Sequence, residues 1–261
     1  MDEDRGQTGR MRSPPSVARL KVTLEEVEPA VLRRLEVPLD LRLDRLHLVL
    51  QAALGWTNSH LWEFRVRDLG WGVPDPKWDR GSGPLDARKT TLRKVIEDTG
   101  AETLTYLYDF GDGWEHTIKI ERIGPAALTY PALIEAIGRC PPEDVGGPPG
   151  YEEFLAALAD PGHKRHAEMI EWHGDSFDPK AVDFADTDRA IQDTGTVQGK
   201  PSRSDPRSSP EAYVDPRSAI DAMRIVFEVV RTNRRSAIER WTDQTHTRQS
   251  NGAHPSHGAL S

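Results

Sequence analysis

Two periodicities, arriving in a fixed order, constrain this chain most. In "ARLKVTLEEV", Leu20, Val22 and Leu24 alternate with Lys21, Thr23 and Glu25, the pattern of a strand with one face buried. The turn "EPA" (Glu28 to Ala30) leads into "VLRRLEVP", a second strand that ends at Pro38. The period then changes. In "LRLDRLHLVLQAALGW", Leu43, Leu46, Leu50 and Ala53/Leu54 share one helical face. Asp40 and Asp44 are candidate N-caps, and Gly55 is a natural terminator. "HLWEFRVR" returns to alternation, with His60, Trp62, Phe64 and Val66 on one face. Strand, strand, helix, strand is the opening order of a β-grasp-like unit. It predicts an α+β fold with a mixed, mainly antiparallel sheet and helices packed on it.

The remaining segments extend this pattern. Residues 69–90 are rich in Gly, Pro, Asp and Trp and read as a long loop. "TTLRKVIEDTG" reads as a short helix capped by Thr90 or Thr91. "ETLTYLYDF" and "WEHTIKIERI" form a hairpin, with His116, Ile118 and Ile120 on one face of its second strand. "YPALIEAIG" reads as helical, as do "YEEFLAALAD", "HKRHAEMIEWHG" and "DPKAVDFADTDRAI". Asp178-Pro179 has the form of an N-cap followed by Pro at the first helical position. Five segments follow: a disordered arm at 1–16, an α+β domain at 17–192, a linker at 193–214, an amphipathic helix at 215–245 with an accessory role, and a disordered tail at 246–261. The apolar stripe Ile220, Met223, Phe227, Val230 and Trp241 makes that helix a candidate surface for homo-oligomerisation.

Charge narrows the partners. The net charge is -8, and it is unevenly spread. Residues 17–122 hold 16 Lys/Arg against 18 Asp/Glu, whereas residues 123–192 hold 5 against 13. An acidic segment repels phosphate backbones, so nucleic-acid binding requires a local basic face. No apolar run approaches a membrane span, and the polar start has no secretory h-region. The single cysteine, Cys140, has no internal disulfide partner, so a cytoplasmic location is expected.

Two loops carry the chemistry. "DFGDGWEH" brings Asp109, Asp112, Trp114 and His116 together, and Asp109, Asp112 and His116 are candidate ligands for a divalent metal. The same residues suit a turn in which Asp side chains accept backbone N–H groups and Gly supplies positive φ. "CPPEDVGG" adds Glu143 and Asp144 on a stiff loop, able to complete a metal or acid–base site or simply to cap the next helix. "DFG" matches a kinase tripeptide, but the phosphate loop, strand lysine and "HRD" motif of that fold are missing. His163, His166 and His173 do not have zinc-site spacing. A serine resolvase is disfavoured: Ser13 and Ser16 lie in a Pro-rich arm, and the tail offers one helix rather than a helix-turn-helix.

"VLRRLEVP", "LHLVLQAALGWTNSHLWEF", "YLYDFGDGWEHTI", "CPPEDVGGPPGY" and "WHGDSFDP", in this order, resemble the plasmid pRiA4b ORF-3-like family. The resemblance runs from Leu20 to Ile191. It implies a single α+β domain of bacterial or archaeal origin, carried on plasmids and mobile elements, sometimes labelled a TnpR-like passenger protein. Relatives often carry a second cysteine where this chain has Val145, so a thiolate metal site has no counterpart here. Two functions follow as expectations. One is a non-enzymatic module that binds a protein or nucleic-acid partner. The other is a metal-assisted hydrolase or ligand-binding enzyme built from Asp109, Asp112, His116, Glu143 and Asp144.

Overall fold

The computed structural model describes residues 16–74, 83–125, 130–174 and 176–196. The helix expected at 215–245, its flanking tail and most of the N-terminal arm lie outside the described residues.

Eight strands of the described residues form one sheet: β1 (Ser16–Leu24), β2 (Val31–Pro38), β3 (Trp62–Val66), β4 (Leu69–Gly72), β5 (Leu85–Asp86), β6 (Thr103–Tyr108), β7 (Trp114–Pro125) and β8 (Ala132–Ile137). Their order across the sheet is β5-β4-β3-β6-β7-β1-β2-β8. Every pairing is antiparallel except β4 with β5. Among the described residues, five helices accompany the sheet: α1 (Leu43–Leu54), α2 (Leu92–Thr99), α3 (Gly147–Ala159), α4 (His166–His173) and α5 (Phe184–Thr196). The fold is α+β with a mixed sheet, and its ββαβ start is present. Hairpin β6–β7 is inserted between β3 and β1, so β3 does not pair with β1 as the bare unit suggests. Among the described residues, no helix is long and apolar enough to cross a membrane.

Alternation explains the layering. Leu20, Val22, Leu35, Val37, Phe64, Leu104, Tyr106, Tyr108, Trp114 and Ile118 are buried on one face of the sheet. Leu43, Leu46, Val49, Leu50 and Ala53 of α1 join them in the same core. The opposite face is polar. There Glu36 accepts from Arg19 and Arg122, each at 2.8 Å, while Arg34 pairs with Glu121 and Glu135. These cross-strand ion pairs are partly exposed, so each contributes at most about 1 kcal/mol.

Arg33 breaks the alternation rule. It points into the core from β2 and is 3% exposed. Its Nε donates to Ala53 O in the last turn of α1, and Nη1 donates to the carbonyls of Leu32, Ile137 and Gly138. A guanidinium satisfying unpaired helix C-terminal carbonyls is favourable both as a donor and against the helix dipole.

Four local expectations require correction. "YPALIEAIG" is strand β8 rather than a helix, because the free edge of β2 offers it a ladder, with Leu32 opposite Ile137 and Glu36 opposite Ala132. Residues 69–90 are not one loop: β4 and β5 pair, and a 3-10 turn covers Ala87–Lys89. Neither Asp40 nor Asp44 caps α1. Its N-cap position is Arg42, and Leu43 N donates instead to Thr90 O, while Asp40 pairs with Arg93. Asp178 closes a turn onto Lys180 N, and it is Asp183 that caps α5 by accepting from Asp186 N. Thr91 caps α2 and Gly55 ends α1 at φ 78°, as their residue types predict.

Candidate functional site

Three loops meet at one end of the sheet: residues 55–61 after α1, the β6–β7 turn at 109–113, and the stiff loop 138–146 before α3. Side chains bolt them together. Trp56 Nε1 donates to Pro141 O at 2.9 Å. Thr57 donates from both N and Oγ1 to Oε2 of Glu143, and Tyr108 donates its hydroxyl to Oε1 of the same carboxylate at 2.5 Å. Gly146 N donates to Asp112 Oδ2 at 3.1 Å. At Gly147, φ is +69°, and a Cβ there would lie 2.3 Å from Asp112 O, so this approach requires glycine.

Asp109 serves two roles with its two oxygens. Oδ1 accepts from the backbone of Gly111 at 2.9 Å, the turn chemistry its residue type suggests. Oδ2 faces His60 Nδ1 at 3.4 Å. On the other edge of the ring, Asp144 Oδ1 lies 3.1 Å from His60 Nε2. Neither contact is aligned as a hydrogen bond, and Nε2 is solvent-shielded without a hydrogen-bond partner among the described residues. One ligand atom from each of His60, Asp109 and Asp144 lies within 4.8 Å of the others. Their side chains are 26%, 13% and 69% exposed, so the cluster sits at the surface with one edge shielded. Asp109 and Asp144 both hold positive φ, at 53° and 61°.

The other expected residues take different places. Asp112 and Glu143 tie loops together. Trp114 is fully buried beside Trp56, with ring centroids 5.9 Å apart. His116 is fully buried, and its Nδ1 lies 3.1 Å from Tyr106 O. A carbonyl only accepts, so the ring proton sits on Nδ1. Burial pushes the pKa of His116 down to about 4, so it is neutral. The set Asp109, Asp112 and His116 therefore does not assemble; among the described residues, His60 stands where His116 was expected.

Behind the cluster lies a second polar group. His47 Nδ1 meets Tyr106 Oη at 2.8 Å and its Nε2 meets Asn58 Oδ1 at 2.5 Å. Its ring stacks on Trp62 at 4.1 Å, and burial lowers its pKa to about 4. Gln51 donates to Tyr106 Oη and accepts from Asn58 N. This network fixes the loop that carries His60. Burial, followed by the hydrogen bond to Glu143, raises the pKa of Tyr108 well above the usual phenol range, so its hydroxyl stays a donor. His60 escaped the sequence reading because it opens an apolar strand face. The available signal was its place at the end of "GWTNSH", where a loop hands over to that face.

The family model described as "Plasmid pRiA4b ORF-3-like protein" matches residues 16–186. "Uncharacterized protein y4hQ" of Sinorhizobium fredii (strain NBRC 101917 / NGR234) is 58% identical over 190 residues, covering 72% of this chain and 97% of that relative. A crystal structure of a "Protein of Unknown Function MM3350" from Methanosarcina mazei Go1 aligns with TM-score 0.60 and 29% identity, covering 67% of this chain and 98% of that one.

Proposed function

The chain belongs to the plasmid pRiA4b ORF-3-like family, and from that premise we propose that it is a divalent-cation-binding protein whose site is His60, Asp109 and Asp144. The observation that carries this reading is the convergence of one imidazole and two carboxylates from three separate loops. Nitrogen plus two oxygens is a donor set suited to Zn2+ or Mn2+. Asp144 is largely exposed and free to swing toward a bound ion. Three protein ligands leave coordination positions for water or a ligand oxygen, as in catalytic rather than structural sites. The reaction class this equips the protein for is metal-assisted hydrolysis, in which the ion lowers the pKa of its bound water. Glu143, held by Tyr108 and Thr57, positions the neighbouring Asp144. The alternative, a non-enzymatic module for a protein or nucleic-acid partner, draws its support from the mobile-element label of relatives, the missing catalytic constellation in the sequence and the helix expected at 215–245, which lies outside the described residues.

Calorimetric titration of the chelator-stripped full chain with Zn2+ and Mn2+ tests the proposal. One saturable site is expected, lost in His60→Ala and weakened at least tenfold in Asp109→Asn. Binding that is absent, or unchanged in His60→Ala, leaves an ion-paired histidine and rejects the cation site.

A further inference from the structure

The stiff loop has a second side. Pro141, Pro142 and Glu143 line a cavity of about 720 Å³ between the end of α1, loop 138–143 and the segment 177–187. Leu54, Trp56, Phe177 and Val182 supply an apolar wall. Its charged lining is uneven in a way the formal count hides. The two carboxylates are committed: Glu143 accepts from Tyr108 and Thr57, and Asp183 Oδ1 caps α5. The two guanidiniums are not matched by any carboxylate among the described residues. Arg139 lies over the Phe177 ring, with Cζ 4.5 Å from its centroid, and makes no ion pair there. Arg33, 3% exposed, fills its Nε and Nη1 donors with carbonyls, but among the described residues Nη2 donates only to the Cys140 thiol at 3.5 Å. His173 also lines the cavity, and its solvent-shielded Nδ1 has no hydrogen-bond partner among the described residues.

Cationic donors without anions, set beside aromatic and aliphatic walls, define a ligand by complementarity. We infer that this cavity binds a small organic oxyanion, a carboxylate or phosphate carried on an apolar body, with Arg139 and Arg33 meeting the acid and the Trp56–Phe177–Val182 wall meeting the body. Arg139 is the accessible arm of the site: it is exposed, and its guanidinium is held over the Phe177 ring. The Cys140 thiol is a poor competitor for such a ligand, since burial pushes its pKa up to about 11 and keeps it neutral. The site stands independently of the cation cluster, although Glu143 and Asp144 are consecutive and place the two side by side.

The test uses the full chain and four probes: benzoate, phenyl phosphate, inorganic phosphate and benzyl alcohol, with binding read by titration of backbone amide shifts. Saturable binding of benzoate or phenyl phosphate is expected, at least tenfold tighter than benzyl alcohol or inorganic phosphate; which of the two binds better identifies the acid. Arg139→Gln, at an exposed position, and Val182→Trp, which fills the cavity, each weaken the better probe at least fivefold. His60→Ala leaves that affinity unchanged, so failure of the cation site and failure of this one read out separately. Absence of saturable binding, equal affinity for benzyl alcohol, or full affinity in Arg139→Gln overturns the inference.

Discussion

Tyr108 donates its hydroxyl to Glu143 across 2.5 Å, joining the end of β6 to the loop that carries Asp144. The same oxygen accepts from Ser59 N, on the loop that carries His60. One phenol thus bridges two of the three segments that supply the proposed cation ligands.

Tyr108→Phe is therefore expected to cost about 1–2 kcal/mol in urea unfolding, because Ser59 N loses its acceptor while Glu143 keeps both Thr57 donors. Zn2+ affinity falls in the same variant, as Asp144 is less firmly placed. An unchanged affinity in a folded Tyr108→Phe protein would show that the bridge has no positioning role.

Acid sensitivity should be visible well above the carboxylate range. Burial holds the pKa values of His47 and His116 near 4, against about 6.5 in an unfolded chain. Between pH 6.5 and 4 the unfolded state binds protons on both residues that the native state does not, so stability falls as pH falls. Each histidine contributes a slope of up to about 1.4 kcal/mol per pH unit. Denaturant titrations at pH 7, 6 and 5 should show this decline, and His47→Gln should remove one of the two contributions. A flat profile contradicts the buried neutral assignment.

Arg33 is expected to be intolerant of its isosteres. Arg33→Met strands the carbonyls of Ala53, Ile137 and Gly138 and should cost about 3 kcal/mol or more. Arg33→Lys should recover little, since a single ammonium cannot span donors that the planar guanidinium spreads over several acceptors. Melting temperatures of the two variants check both statements.

Gly146 and Gly147 give a matched pair. Both have positive φ, but a Cβ at Gly146 meets nothing closer than 3.6 Å, whereas one at Gly147 would strike Asp112 O at 2.3 Å. Gly146→Ala should cost about 1 kcal/mol from backbone conformation alone. Gly147→Ala should cost clearly more and weaken cation binding, since the clash separates the two loops. Equal effects in calorimetry would contradict the docked arrangement.

The sheet and its helices were legible wherever one local periodicity was also the tertiary answer. Leu20, Val22 and Leu24 alternate because one face is buried, and Leu43, Leu46 and Leu50 repeat for the same reason. "ALIEAI" shows the limit. Its residues favour a helix, but an open β2 edge decides in favour of a strand, and that edge is not visible from residues 130–138. The site followed the same logic. Asp109 and Asp144 stood out because carboxylates in Gly/Pro loops are conspicuous. His60 did not, because the partner that gives it meaning lies across a loop contact. His116 looked available because its buried fate depends on Trp56 and Tyr106 closing over it.

The position of β1 has a consequence for how this protein is made. β1 pairs with β2 on one edge and with β7 on the other. As the chain leaves a ribosome, the first edge closes at once, but the second must wait until the chain has been synthesised through β7, whose residues His116 to Pro125 face β1. Through that interval Leu20 and Val22 lie beside an unpaired ladder, an invitation to the wrong neighbour. The charges that alternate with them, Arg19 and Lys21, are then more than solvent-facing filler. They guard an edge that stays open until β7 arrives.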